Sequence, residues 1–90
     1  MKYTVLKFSA EWCGPCKAMT PIFDKVKNEF SSEEIEFNEI DIEEDINATE
    51  EFKIMSVPTF VILKDGAIVG KKTGSMPEEN FRDFIKQNLI

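Results

Sequence analysis

Trp12-Cys13-Gly14-Pro15-Cys16-Lys17 is the segment from which the rest of the chain can be read. Just before it, residues 2–8 carry Tyr3, Val5, Leu6 and Phe8, apolar at odd and even positions alike. That pattern predicts a strand covered on both faces. Just after it, Met19, Ile22, Phe23, Val26 and Phe30 recur at i, i+3, i+4, i+7 and i+11, which predicts a helix from about Cys13 to Phe30. Pro21 falls inside that helix and is expected to kink it, because its ring lacks an amide donor and crowds the preceding turn. The two cysteines therefore sit where a strand hands over to a helix.

Further along, a second strand is predicted over about Ile35 to Ile42 and a short helix over Ile46 to Lys53. Thr59 to Leu63 reads as a third strand, and Asp65-Gly66 as a tight turn into a fourth, Ala67 to Lys72. A last helix runs from about Pro77 to Leu89, with Phe81, Phe84, Ile85 and Leu89 on one face. The order β-α-β-α-β-β-α implies an α/β fold. Crossovers link the first three strands, a hairpin joins the last pair, and helices cover both faces of a four-stranded mixed sheet. Residues 1–90 are expected to form one domain, since half of 90 residues could not hold a core.

Charge narrows the function. Eleven basic against 17 acidic residues give a net charge of −6, which argues against nucleic acid or an anionic membrane as partner. No apolar run approaches the ~18 residues of a membrane span. Lys7 interrupts the N-terminal apolar stretch, so that stretch reads as a strand and not as a leader peptide, and a cytoplasmic location is expected. There a closely spaced cysteine pair is more often catalytic than structural.

The chemistry of Cys13 and Cys16 follows from their position. Two cysteines one helical turn apart meet the Cα separation of about 4.4–6.8 Å that a disulfide needs. A helix N-terminus offers unpaired amides and a partial positive charge, so the Cys13 thiol is expected to ionise more readily than a free cysteine. Gly14 and Pro15 keep bulk out of the turn, leaving a path for a disulfide on another protein. Cys16 is expected to be the more buried and to act second. A structural zinc site needs four ligands, and the chain has two cysteines and no histidine. Haem attachment needs a histidine after the second cysteine, where Lys17 stands. A thiol–disulfide couple is the favoured reading, with no cofactor and no metal called for.

Phe8, Ala10-Glu11-Trp12-Cys13-Gly14-Pro15-Cys16-Lys17, Pro21, Val57-Pro58-Thr59 and Gly74 together make the sequence resemble the thioredoxin family along its whole length. It is similar to a short form without the extra N-terminal strand and helix of longer members. The resemblance implies a thioredoxin-like fold and reduction of protein disulfides, with Cys13 as attacking thiol and Cys16 as resolving thiol. It also implies a flavoprotein thioredoxin reductase as electron donor and no requirement beyond a monomer. By the same resemblance Pro58 is a cis-proline beside the disulfide. Val57 offers backbone hydrogen bonds to an extended substrate, and Trp12 and Gly74 border the site. Two other functions stay open at this point: a non-catalytic binding subunit of a larger complex, and a glutathione-fed, glutaredoxin-like enzyme.

Side chains around the motif have plainer roles to weigh. Met55 and Met76 are candidates for an adaptable apolar rim, with ordinary gap-filling the competing assignment. Met19 belongs to the buried stripe. Glu33, Glu34, Glu43, Glu44 and Asp45 read as loop and helix-end charges, and Glu50, Glu51, Glu78 and Glu79 as exposed or first-turn residues.

One departure from the family pattern stands out. Most thioredoxins carry a buried Asp where this chain has Lys7, and a Lys on the facing strand where it has Glu39. Alternation puts Lys7 on the face of Tyr3 and Val5, and Glu39 on that of Ile35 and Phe37. If the strands are neighbours the two charges meet below Cys16 as a buried, reversed ion pair; otherwise both reach solvent. A charged Lys7 cannot accept a proton from Cys16, so Glu39 or water is expected to do so. A cation near the thiols favours the reduced form and a more oxidising couple.

Overall fold

The computed structural model describes residues 2–30 and 34–89. Seven elements follow in order: β1 (Tyr3–Ser9), α1 (Gly14–Glu29), β2 (Ile35–Asp41), α2 (Ile46–Glu51), β3 (Thr59–Lys64), β4 (Ala67–Thr73) and α3 (Glu78–Gln87). The element order is the one predicted, with no boundary moved by more than two residues. Glu33 lies outside the described residues.

The sheet has the order β2-β1-β3-β4. β1 runs parallel to β2 and antiparallel to β3, and β3 is antiparallel to β4. This is the mixed sheet and thioredoxin-like fold expected. The register sets Val5 beside Phe37 and Lys7 beside Glu39.

Alternation along β1 sorts its side chains to two helix layers. Tyr3 and Val5 join Phe37, Phe60 and Ile62 in the larger cluster, under Met19, Phe23 and Val26 of α1 and Phe81, Phe84 and Ile85 of α3. Leu6 and Phe8 turn the other way with Val61, against Ala48 and Phe52 around α2. Phe23 is the hub of the larger layer, its ring 5.6 Å from Phe37, 6.0 Å from Phe81 and 6.5 Å from Phe60, centroid to centroid. Such aromatic pairs add about 0.5–1.5 kcal/mol each beyond the area they bury.

Local chemistry places the boundaries. Asp65 and Gly66 take φ of 50° and 89°, the left-handed pair that a two-residue hairpin requires. The Lys2 amide donates to Asp65 Oδ1 and the Asp65 amide to the Lys2 carbonyl, which pins the start of β1 to that turn. Asp45 caps α2 by accepting from the Ala48 amide at 3.0 Å. The predicted extension of α2 to Lys53 does not occur. Phe52 closes the helix and Lys53 takes φ 53°, while the Lys71 ammonium binds the carbonyls of both. α1 is continuous through Pro21.

A surface charge network ties α3 to α1. The Arg82 guanidinium donates to both oxygens of Glu29 at 2.6 and 2.7 Å and to Glu78 at 2.6 Å, and Lys25 lies 3.2 Å from Glu78. Hydrogen bonds from Arg82 hold both carboxyls below their ordinary value of 4.5, with Lys25 adding to the effect at Glu78. Groups that ionise more easily when folded stabilise the fold above their unfolded-state value and lose that contribution as pH falls through the folded one. The Arg82→Gln variant is therefore expected to be less stable at pH 7 and to lose stability less steeply below about pH 4.5. Urea unfolding across that range measures it; an unchanged acid slope would mean these exposed pairs contribute nothing.

Candidate redox site

Cys13 is the N-cap residue of α1. Its backbone is extended, its amide donates to the Ala10 carbonyl, and its own carbonyl accepts the first helical bond, from Lys17. The Cys16 amide donates to Cys13 Sγ at 3.1 Å, so the sulfur occupies the place an Asp or Ser oxygen takes in an ordinary cap. Gly14 and Pro15 fill the first two helical positions, where a missing proline amide leaves no bond unmade. The two cysteines are disulfide-bonded with Cα atoms 5.3 Å apart, inside the range an unstrained bridge needs.

Cys16 is the more buried of the two cysteines, as expected, but only slightly. Cys13 is 4% exposed and Cys16 2%. Both residues pack with Ala10 in a small cluster that Ile42 and Val57 close. What separates them is the cap: Cys13 receives the helix amide and Cys16 supplies it.

The Val57-Pro58 peptide is cis, as the family resemblance implied, and Pro58 is fully buried. Cys13 Sγ lies 3.8 Å from the Val57 carbonyl oxygen. The Pro58 carbonyl accepts from the Gly74 amide at 2.8 Å, and Gly74 holds φ 100° to make that approach. Thr59 Oγ1 donates to the Ser56 carbonyl at 2.7 Å and fixes the loop from the other side. Trp12, next to Cys13 in the chain, is 66% exposed, and Met55, two residues before Val57, is 93% exposed. Met76 does not join such a rim. It is buried in the larger core, where its amide donates to Met19 Sδ at 3.4 Å.

Lys7 and Glu39 do meet, Nζ to Oε2 at 3.0 Å, but the pair is buried at one end only. Lys7 is 1% exposed and the Glu39 side chain 52%. The centre of a sheet leaves Lys7 no route along its own strand to water, so its stem lies in the core with Nζ 5.8 Å from the Phe23 ring centroid. The ammonium also donates to Thr20 Oγ1 at 3.1 Å, and Thr20 donates to the Cys16 carbonyl at 3.4 Å. Ser9 Oγ donates to the same Glu39 oxygen at 3.1 Å. Among the described residues no buried side-chain nitrogen or oxygen lacks a partner.

Ser9, Thr20 and Glu39 line an open cleft of about 390 Å³ on the Cys16 side of the disulfide, with Lys7 buried behind them. Ala10, Glu11, Cys16, Lys17, Asp41 and Glu44 complete its lining. Ser9 and Thr20 were not singled out in the sequence. Their signals were there: Ser9 is two residues beyond Lys7 on one strand face, and Thr20 is one helical turn beyond Cys16.

The chain matches the family described as Thioredoxin over residues 1–87. A thioredoxin of Staphylococcus saprophyticus is 32% identical over 85 residues, covering 94% of this chain and 81% of that protein. One of Coprinus comatus is 36% identical over 76 residues, covering 84% and 72% of the two chains. One of Haemophilus influenzae is 29% identical over 85 residues, covering 94% and 78%.

The one-sided burial of the ion pair makes its two ends unequal. Glu39→Ala strands a buried ammonium and is expected to cost about 3 kcal/mol. Lys7→Met leaves only a solvated carboxylate and is expected to change stability by less than about 1 kcal/mol. Denaturant unfolding of the two variants checks the order; equal losses would mean the pair behaves as if buried at both ends.

Proposed function

The chain belongs to the thioredoxin family and is a thiol–disulfide oxidoreductase, and on that premise we propose the roles of its residues as follows. Cys13 is the nucleophile. The observation that carries this is its sulfur at the N-cap of α1, 3.1 Å from the Cys16 amide, where a thiolate gains a charge-assisted hydrogen bond and the helix dipole. Its attack on a substrate disulfide forms a mixed disulfide and releases one substrate thiolate. Cys16 then loses its proton and attacks Cys13 Sγ. The Cys13–Cys16 bond forms, the bond to substrate breaks, and the second substrate thiolate leaves. The substrate is reduced by two electrons and the pair is oxidised, the state the structure holds.

An extended substrate lies against the Val57-Pro58 segment, with Gly14 and Pro15 leaving the approach open and Gly74 holding the loop in place. Trp12 and Met55 supply exposed apolar surface for it. Glu39 takes the Cys16 proton through water in the cleft, with the Lys7 ammonium as its counter-charge. Members of the family generally act on disulfide substrates and are reduced by a thioredoxin reductase, and that is the donor proposed here. No helix among the described residues is long and apolar enough to cross a membrane. A monomer working in the cytoplasm, where reducing conditions return the dithiol, fits two cysteines paired only with each other.

In reaction with a disulfide-bonded protein, the Cys16→Ser variant should accumulate a stable mixed disulfide on Cys13, whereas Cys13→Ser should form none. Trapping through residue 16 instead would reverse the assignment. The charge pair makes a second prediction. Glu39→Gln removes the counter-charge from Lys7, and an uncompensated cation favours thiolates. The couple should then become more oxidising by on the order of 30 mV, equivalent to about 1.4 kcal/mol. Equilibration against glutathione buffers measures the shift; no shift would mean that Lys7 does not act on the sulfurs.

A further inference from the structure

We propose that Thr20, with Ser9, is a positioning residue for the resolving step, holding the Lys7–Glu39 pair so that one carboxylate oxygen faces the cleft beside Cys16. The inference rests on the role of Glu39 given above and deepens it. Glu39 Oε2 accepts from both Lys7 Nζ at 3.0 Å and Ser9 Oγ at 3.1 Å. Among the described residues Oε1 accepts no hydrogen bond, and it belongs to a side chain that lines the cleft with Cys16. Two donors on one oxygen fix the carboxylate and leave the other oxygen to water, the arrangement a proton acceptor needs.

Thr20 secures the other end of the pair. A buried ammonium has three donors and needs acceptors for them. Thr20 Oγ1 supplies one at 3.1 Å and in turn donates a hydrogen bond to the Cys16 carbonyl at 3.4 Å. The hydroxyl thus joins the residue that loses a proton to the cation that orients the acceptor. It sits one turn beyond Cys16 on α1, and Ser9 sits two residues beyond Lys7 on β1, so an element from each side of the cleft holds the relay. Neither hydroxyl touches the reacting sulfur, so both act through Glu39.

The step divides cleanly. Cys13 attack needs no proton acceptor in the cleft, whereas deprotonation of Cys16 does. A symmetrical aromatic disulfide with a coloured thiolate reports both: attack by Cys13 releases the first equivalent and resolution by Cys16 the second. In stopped-flow measurements on the reduced protein, Thr20→Val and Ser9→Ala are each expected to slow the second release about tenfold relative to the first. Thr20→Ser, which keeps the hydroxyl, is expected to restore it. In a Glu39→Gln background, Thr20→Val should add less than about twofold, because both changes disable one relay.

The outcomes that overturn the inference are distinct. If Glu39→Gln slows resolution and Thr20→Val does not, the positioning role fails and the role of Glu39 stands. An equal effect of Thr20→Val with and without the Glu39 carboxylate would show that the hydroxyl acts on the helix alone. Slowing of both releases alike would show a general loss of structure. If Glu39→Gln itself leaves resolution unchanged, the proton acceptor is elsewhere and this inference falls with it.

Discussion

β1 has a hydrogen-bonded strand on each edge and a layer of helix on each face, and the rest of the molecule is arranged around that confinement. A strand with no free side must bury nearly every residue it carries, and only its neighbours decide which polar groups it can tolerate. Here it carries Lys7, Ser9 and four apolar residues inward, and ends where Ala10 accepts from the Cys13 amide. The position of the disulfide is thus an extension of the core: the strand delivers the chain to a fixed point and α1 starts from it.

The site combines two kinds of electrostatics on opposite sides of the disulfide. On the Cys13 side the charge is backbone in origin, from amides at a helix start, and needs no ionisable side chain. On the Cys16 side it comes from side chains, a cation in the core and a carboxylate at the edge of water. The family resemblance implied the opposite signs at these two positions, and the geometry shows how the reversal is accommodated. A lysine is long enough for its stem to lie in the core beside Phe23 while its ammonium reaches Glu39 and Thr20, and a glutamate on the edge strand β2 keeps half its surface in water. The desolvation cost falls on one partner only, and the Glu39 carboxylate and the Thr20 hydroxyl meet it as acceptors for the Lys7 ammonium.

Much of this was legible in the residues. The continuous apolar run of β1, the 3.6-residue stripes of α1 and α3 and the Asp65-Gly66 turn marked out the elements, because each reports which faces are buried or where the chain reverses and says little about by what. The cysteine pair at the strand–helix junction located the chemistry. Where expectation and structure part, the cause is non-local. α2 stops short where Lys71, from a strand two elements later, binds the carbonyls of Phe52 and Lys53 just past its end. Met76 enters the core because Met19 of α1 offers it a partner across 57 positions of sequence. Both cysteines are buried because Ile42 and Val57 arrive from two other segments to close the cluster.

By itself, then, the sequence determined the order of elements, the junction at which Cys13 caps a helix, the Asp65-Gly66 turn and membership of a family. Each of these is read from residue types and their spacing along the chain, without knowing what packs against what. Tertiary structure alone decided what the core lysine meets. Alternation says which face Lys7 is on; it does not say that β2 lies alongside in the register that puts Glu39 opposite. Nor does it say that α1 crosses that face at the turn carrying Thr20. Strand order and helix placement are set by how the whole apolar surface packs together, and the polar groups of the cleft are brought together by that packing.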